Sequence, residues 1–182
     1  MSTRRLTGDP DRRRLIERII RVDQAGEFGA RQIYRGQLAV LKGKPSEPLI
    51  REMAEQEQEH LDSFNALIHE RRVRPTALTP LWRIGAFALG AGTALLGEKA
   101  AMACTAAVEE VIDEHYARQA EALARESGEE ELQALIERYR EDELEHRDTA
   151  YEQGAEQAPA FPVLSRAVKL ATKTAIKLSE RV

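Results

Sequence analysis

The chain has 182 residues, a net charge of −4 and a hydrophobic fraction of 42%, a length that suits one domain with a sizeable core. Its single cysteine, Cys104, excludes an intrachain disulfide and makes a reducing compartment the default; among alanines it reads as a small buried filler. Charge runs from +5 over residues 1–42 through −12 over 98–160 to +4 over 161–182; with no aromatic-studded basic surface this excludes a nucleic-acid binder, and leaves open an anionic membrane surface or plain solvated faces.

Ala, Leu, Glu and Arg dominate while Gly and Pro are sparse, which favours helix. The first predicted helix starts in "DPDRRRL", with Asp9 as N-cap and Pro10 in the first turn, and stops at "GKP". The second follows Ser46 and runs to about Arg72, where Pro75 ends the pattern. The third begins after "TP" at 79–80 and continues, with a break near Gly97, to about Arg125. After the interruption "ESGEE", a fourth helix is expected from about Glu129 to Glu156, and after "APAFP" a fifth at about 161–180. No period-2 strand pattern appears, so the fold class is all-α, a bundle. The expected organisation is one domain over 1–182, with 1–10 a flexible N-terminus and 161–182 a C-terminal amphipathic helix. The opening "MSTRRLTGDPDRRRL" shows no apolar core of a secretory signal, and Asp9 and Asp11 argue against a transit peptide.

Residues 84–97, "IGAFALGAGTALLG", run fourteen positions without charge. That is short of the ~20 needed to span a bilayer, so a buried core helix and a membrane-surface segment both fit. Glycines at 85, 90, 92 and 97 permit close backbone packing. In the last helix Phe161, Leu164, Val168, Ala171, Ala175 and Leu178 repeat at three and four beside Arg166, Lys169, Lys173 and Lys177. Docking onto the bundle and lying on a membrane surface both produce that pattern.

Helical spacing sorts the carboxylates. In "MAEQEQEHLDSF" the apolar row Ile50, Met53, Leu61, Phe64 and Ile68 is continued by Glu57 and His60, whereas Glu55 and Glu59 fall on the opposite row. In "ERYREDELEHRDTA" the row Leu132, Ile136 and Tyr139 is extended by Glu143 and His146. Glu27 shares a face with Ile16, Ile20, Tyr34 and Leu41, with Gly26 and Gly29 beside it to admit a side chain or substrate. Glu109 shares one with Met102, Thr105, Ile112 and Tyr116, while Glu110 is rotated about 100° away. Four carboxylates and two imidazoles turned inward are not a stable apolar core, because each buried ion costs several kcal/mol unless paired or metal-bound. One Glu from each of two helices and a Glu-x-x-His from each of two others is the di-iron or di-manganese arrangement of ferritin-like bundles. Its order occurs twice, Glu preceding Glu-x-x-His by 30 residues in one half and 34 in the other. Mixed oxygen and nitrogen donors suit iron or manganese. Asp23 and Asp113, one turn from Glu27 and Glu109, are candidate acceptors for imidazole N–H groups; solvent charge is the alternative.

The segments "RIIRVDQAGEFGA", "QEHLDSFN", "RVRPTALTPLW", "FALGAGTALLGEKAAMACTAAVEE", "DELEHRD" and "LSERV" resemble, in order, those of the demethoxyubiquinone hydroxylases of ubiquinone biosynthesis. The resemblance covers about residues 18–182 and implies a ferritin-like four-helix bundle with additional apolar and amphipathic helices. It implies a di-iron monooxygenase that hydroxylates the ring of a polyprenylated demethoxyubiquinol with O2. Its ligand pattern falls on Glu27, Glu57, His60, Glu109, Glu143 and His146, for two iron ions. A His-Tyr pair, matched by His115 and Tyr116, is implied to take part in electron transfer or substrate contact. The quinol itself or NADH would supply electrons; no Rossmann glycine fingerprint marks a nicotinamide site. The resemblance further implies a peripheral protein on the cytoplasmic face of a bacterial inner membrane, or on the matrix side of the mitochondrial inner membrane. A homo-oligomer and a lipid-presenting partner protein are compatible with it. The competing reading is a ferritin-like iron-binding protein with ferroxidase activity.

Overall fold

Residues 11–182 are described by the computed structural model, and all regular structure among them is helical. The helices are α1 (Arg12–Val40), α2 (Glu47–Glu70), α3 (Thr79–Leu95), α4 (Glu98–Leu123), α5 (Glu130–Glu152) and α6 (Phe161–Ser179), with a 3₁₀ turn at Ala155–Gln157 before α6.

Two boundaries differ from the spacing of the sequence, and the expected break near Gly97 is found. The cap of α1 is Asp11, whose carboxylate accepts the backbone N–H of Arg13; Asp9 and Pro10 lie outside the described residues, as does the expected flexible stretch 1–10. The third predicted helix breaks where expected, giving two helices, because Gly97 takes φ +113°, a conformation that costs a side chain but not glycine. The fourth ends at Glu152 rather than Glu156, since Gly154 adopts the left-handed conformation (φ +85°) that terminates helices.

Two helical hairpins face each other. In one, α1 packs on α2; in the other, α4 packs on α5, and the 71–97 crossover that joins them contains α3. Single long crossovers of this kind characterise ferritin-like bundles. The hairpins meet through side chains, α1 against α4 and α2 against α5. Helix α4 is the centre: every residue from Ala100 to Glu109 is buried, and its run of alanines lets neighbours approach on all sides. A cluster of Ile20, Phe64, Ile112, Tyr116, Ile136 and Tyr139 fills one end of the bundle, and Tyr34, Ile50, Met53 and Met102 belong to a second cluster.

Helices α3 and α6 lie outside the four-helix frame. Helix α3 crosses α1 where both are glycine: a Cβ on Gly36 would sit 2.2 Å from the Phe87 carbonyl oxygen, and one on Gly90 2.0 Å from that of Ile33. Of the four glycines singled out in 85–97, only Gly90 makes such an approach. The core-helix reading of 84–97 therefore fails. Only Gly90, Thr93 and Ala94 of α3 are buried, and Ile84 (72%) and Leu95 (75%) are largely exposed. Burial belongs instead to the α4 portion that follows. No helix among the described residues is long and apolar enough to cross a membrane.

Helix α6 docks and exposes apolar surface at once. Lys169 pairs with Glu110 and Lys173 with Glu114 at 2.9 Å, so half of its basic row answers the acidic face of α4. Val168 is buried, but the expected row drifts: Ala171 and Leu178 are exposed, while Ser165 and Ser179 are buried. Ser179 accepts the indole N–H of Trp82 (3.0 Å), which ties the end of α6 to α3. Val163 and Leu170 point to solvent.

Candidate metal centre

All six candidate metal ligands converge between the hairpins, and none is more than 3% exposed. Glu27 comes from α1, Glu57 and His60 from α2, Glu109 from α4, and Glu143 and His146 from α5. Glu55 and Glu59, two residues either side of Glu57, are exposed. Candidate donor atoms form two groups, Glu27–Glu57–His60–Glu143 and Glu57–Glu109–Glu143–His146, within each of which all lie within 4.8 Å of one another. Glu57 and Glu143 belong to both. Nδ1 of His60 is 3.6 Å from Glu27 and 3.4 Å from Glu143; Nδ1 of His146 is 3.3 Å from Glu57 and 3.4 Å from Glu143.

Protein groups leave this cluster unsatisfied. Both oxygens of Glu57, Oε2 of Glu109, Oε2 of Glu143 and Nδ1 of both histidines have no hydrogen-bond partner among the described residues. Buried polar atoms are rarely left so, and six around one point mark a place built for something the side chains do not supply. Electrostatics agree. Burial, then the charges of Glu143 and neighbouring carboxylates, pushes Glu57 and Glu109 well above the ordinary carboxylate range. Burial opposes charge on His60 too, but the carboxylates of Glu143 and Glu27 close to its ring raise it to about 12. Burial would also raise Glu143, yet the two imidazoles beside it hold it low. Without a bound cation, these groups would retain protons to offset the crowded carboxylates. Four carboxylates facing two neutral imidazoles carry the charge that two divalent cations cancel. The donor set fits a metal pair: oxygen and imidazole nitrogen, on buried side chains.

Partners around the cluster are arranged with approximate two-fold repetition. The Tyr34 hydroxyl donates to Glu109 (2.9 Å), and the Tyr116 hydroxyl to Glu27. Each tyrosine lies seven residues after the glutamate of its own helix and reaches the glutamate of the other. Burial, then nearby carboxylate charge, raises both hydroxyls well above their ordinary values and keeps them donors. The imidazoles are held from behind in the same crossed manner: His60 Nε2 meets Asp142 at 3.0 Å, and His146 Nε2 meets Gln56 at 2.7 Å. Asp113 does not have the imidazole role expected of it, and Asp23 lies against an imidazole outside the candidate ligand set. Asp113 accepts from Arg140 (2.6 Å), and buried Asp23 accepts from Gln119 (2.7 Å) with His115 3.4 Å away. An imidazole that points across the bundle finds its second partner on the opposite helix, not one turn along a neighbour. Gln56 and Asp142 escaped the spacing argument, which placed Tyr34 on the face of Glu27 but gave it no part in the site. A signal was available: Glu-x6-Tyr occurs in both halves, and a hydrogen-bonding residue directly precedes each Glu-x-x-His.

The two tentative catalytic positions separate. Tyr116 touches the cluster through Glu27, whereas buried His115 faces away from it. His115 bonds Gln119 at 2.8 Å and lines a cavity of about 200 Å³ whose wall includes Arg18 and Arg118. A larger cavity, about 520 Å³, lies between α1, α3 and α6 and is almost wholly apolar, lined among others by Val22, Ala25, Trp82, Leu89 and Ile176. Gly26 and Gly29 also line it, and a Cβ on either would meet nothing within 4 Å. Cys104 is buried, and burial pushes its thiol up to about 12, as befits an inert filler.

Fold and site together define an all-α, ferritin-like bundle whose buried Glu/His cluster could hold metal. The chain belongs to the ubiquinone biosynthesis protein COQ7 family, whose model matches residues 14–179. It is 57% identical over 181 residues to the 3-demethoxyubiquinol 3-hydroxylase of Rhodospirillum rubrum, covering 98% of this chain and 84% of that one. It is 51% identical over 179 residues to the human NADPH-dependent 3-demethoxyubiquinone 3-hydroxylase, mitochondrial, covering 97% and 82%. The 5-demethoxyubiquinone hydroxylase, mitochondrial, of Saccharomyces cerevisiae is 44% identical, with 92% and 78% covered.

Proposed function

We propose that the chain is a di-iron monooxygenase that hydroxylates the ring of a polyprenylated demethoxyubiquinol with O2 in ubiquinone biosynthesis. The observation that carries this reading is the pair of donor groups sharing Glu57 and Glu143, in a chain that aligns nearly end to end with hydroxylases of that substrate. His60 and His146 would each bind one iron through Nδ1. Glu57 and Glu143 would span both positions, and Glu27 and Glu109 would serve one each. Bound iron supplies the activation of O2. The chain's own groups set up the rest. Tyr116 and Tyr34 fix the orientation of Glu27 and Glu109 by hydrogen bonds across the bundle. The closed core of α4 keeps bulk water from the cluster.

The apolar cavity beside Gly26 and Gly29 suits the substrate's isoprenoid portion, which would leave between α3 and α6 toward lipid. Exposed Ile84, Leu95 and Leu96 on α3 and Val163 and Leu170 on α6 support docking on a membrane surface without crossing it. The membrane in question would be a bacterial inner membrane on its cytoplasmic face, or the mitochondrial inner membrane on its matrix side. Relatives named NADPH-dependent support a reduced nicotinamide as electron source.

The test is direct. Protein purified from membranes is assayed for iron, then given demethoxyubiquinol, O2 and reduced nicotinamide, with the quinone products followed by mass spectrometry. Two irons per chain and a product heavier by one oxygen are expected. Two irons with Fe2+ oxidation but no hydroxylated product would instead establish the ferroxidase reading.

A further inference from the structure

Behind the two imidazoles the pseudo-symmetry of the site breaks. His60 and His146 both turn Nδ1 to the cluster, and both lean on a ring, His60 stacked on Tyr139 at 3.9 Å and His146 edge-on to Tyr34 at 6.2 Å. A metal on Nδ1 leaves the proton on Nε2, which must then donate. For His60 the acceptor is a carboxylate, Asp142; for His146 it is a neutral amide, the Oε1 of Gln56. The residues occupy equivalent places, each directly preceding the Glu of a Glu-x-x-His on the opposing helix. Each half also contributes one further glutamate that accepts from one tyrosine, so the difference in hydrogen bonding between the halves is the charge on the imidazole's acceptor.

A carboxylate accepting an imidazole N–H makes the other ring nitrogen a stronger donor than an amide does, and partners of this kind are worth about 10–100-fold in metal affinity. Asp142 is about one-third exposed, which screens its charge in part, but the contact with His60 is direct. We infer that Asp142 and Gln56 are positioning residues that make the two metal positions unequal. The position formed by Glu27 and His60 is the tighter and fills first; that formed by Glu109 and His146 fills second. This rests on the dimetal reading above.

The experiment is an anaerobic titration of the metal-free full chain with Co2+, read by calorimetry and by the visible absorption of the bound ion. Wild type should take up two equivalents in two resolved steps differing at least about ten-fold in affinity. Asp142→Asn, which keeps shape and removes charge, should weaken the tight step about ten-fold or more and leave the weak one. Asp142→Glu should retain the separation. Gln56→Glu should tighten the weak step and narrow the gap. Two indistinguishable steps in wild type, or an Asp142→Asn effect equal on both, overturns the inference while leaving a dimetal site standing. Failure to bind any Co2+ overturns both. Should Asp142→Asn not fold by circular dichroism, Gln56→Glu decides alone, and an unchanged gap refutes the assignment.

Discussion

Replacing Glu57 by leucine should stabilise the metal-free protein while abolishing metal binding. Glu57 is fully buried, and neither carboxylate oxygen has a hydrogen-bond partner among the described residues. A buried polar group left unsatisfied costs about 1–3 kcal/mol. Leucine fills similar space and has no such atoms, and its branched shape returns about 1 kcal/mol as packing strain. The net gain is about 1 kcal/mol, which for a chain of this length raises the melting temperature by about 2–4 °C. Glu55→Leu and Glu59→Leu, at exposed positions of the same helix, should change stability by no more than about 0.5 kcal/mol. The assay is thermal unfolding in chelator, followed by the same scan after anaerobic addition of Fe2+. Wild type, Glu55→Leu and Glu59→Leu should gain stability from iron. Glu57→Leu should gain none, because the lost carboxylate belongs to both donor groups. A metal-free Glu57→Leu protein less stable than wild type, or one that still binds two irons, would refute the argument that these atoms are unsatisfied for the sake of metal.

The pH dependence follows from the same groups. Glu57, Glu109, His60 and His146 all hold protons above their ordinary pKa values in the folded, metal-free state. The folded state therefore binds more protons than the unfolded one, and metal-free stability should fall as pH rises above the ordinary carboxylate value near 4.5. Metal must displace those protons, so metal affinity should rise over the same direction of pH, with proton release measurable by calorimetry in buffers of different ionisation heat. Gly90→Ala forces a Cβ to within 2.0 Å of the Ile33 carbonyl oxygen and should cost about 1–3 kcal/mol in urea unfolding, whereas Gly92→Ala meets open space and should stabilise by about 0.5–1 kcal/mol. Replacing Ile84, Leu95 and Leu96 together by serine should weaken sedimentation with anionic liposomes about a hundred-fold. Full burial of each is worth roughly 1.5–3 kcal/mol, and partial insertion still leaves about 3 kcal/mol for the three. Unchanged sedimentation would remove α3 from the membrane contact.

What the sequence makes legible here is periodicity within one helix, and what it hides is how helices dock. Spacing alone puts Glu57 inward and Glu55 and Glu59 outward, and the burial of those residues follows it. The partner of His60 is invisible to that argument, because Asp142 sits on a helix 82 residues away and reaches the ring only once α2 and α5 are side by side. Residues 84–97 show the same limit. Their composition announces apolar packing, but a run of Gly, Ala and Leu does not say whether protein or something else covers it. The structure covers one face, at Gly90 and Ala94, and leaves Ile84 and Leu95 bare. In α6 the basic row was ambiguous until α4 supplied Glu110 and Glu114.

The crossed contacts carry a consequence for how the site assembles. Tyr34 and Gln56 of the first hairpin act on Glu109 and His146 of the second, and Tyr116 and Asp142 of the second act on Glu27 and His60 of the first. Neither hairpin holds a complete donor group, because each four-residue set draws on both. Correct docking of the hairpins is thus the event that creates the cluster. Docking also crowds four carboxylates together and strips them of water, which opposes it. Bound metal would remove that opposition, which would make binding and the final packing of the bundle thermodynamically one process. The mostly small side chains of α4 fit this logic: with alanine filling much of the interface, little apolar area is buried per residue near the site, and a bound metal pair would close what the apolar core does not.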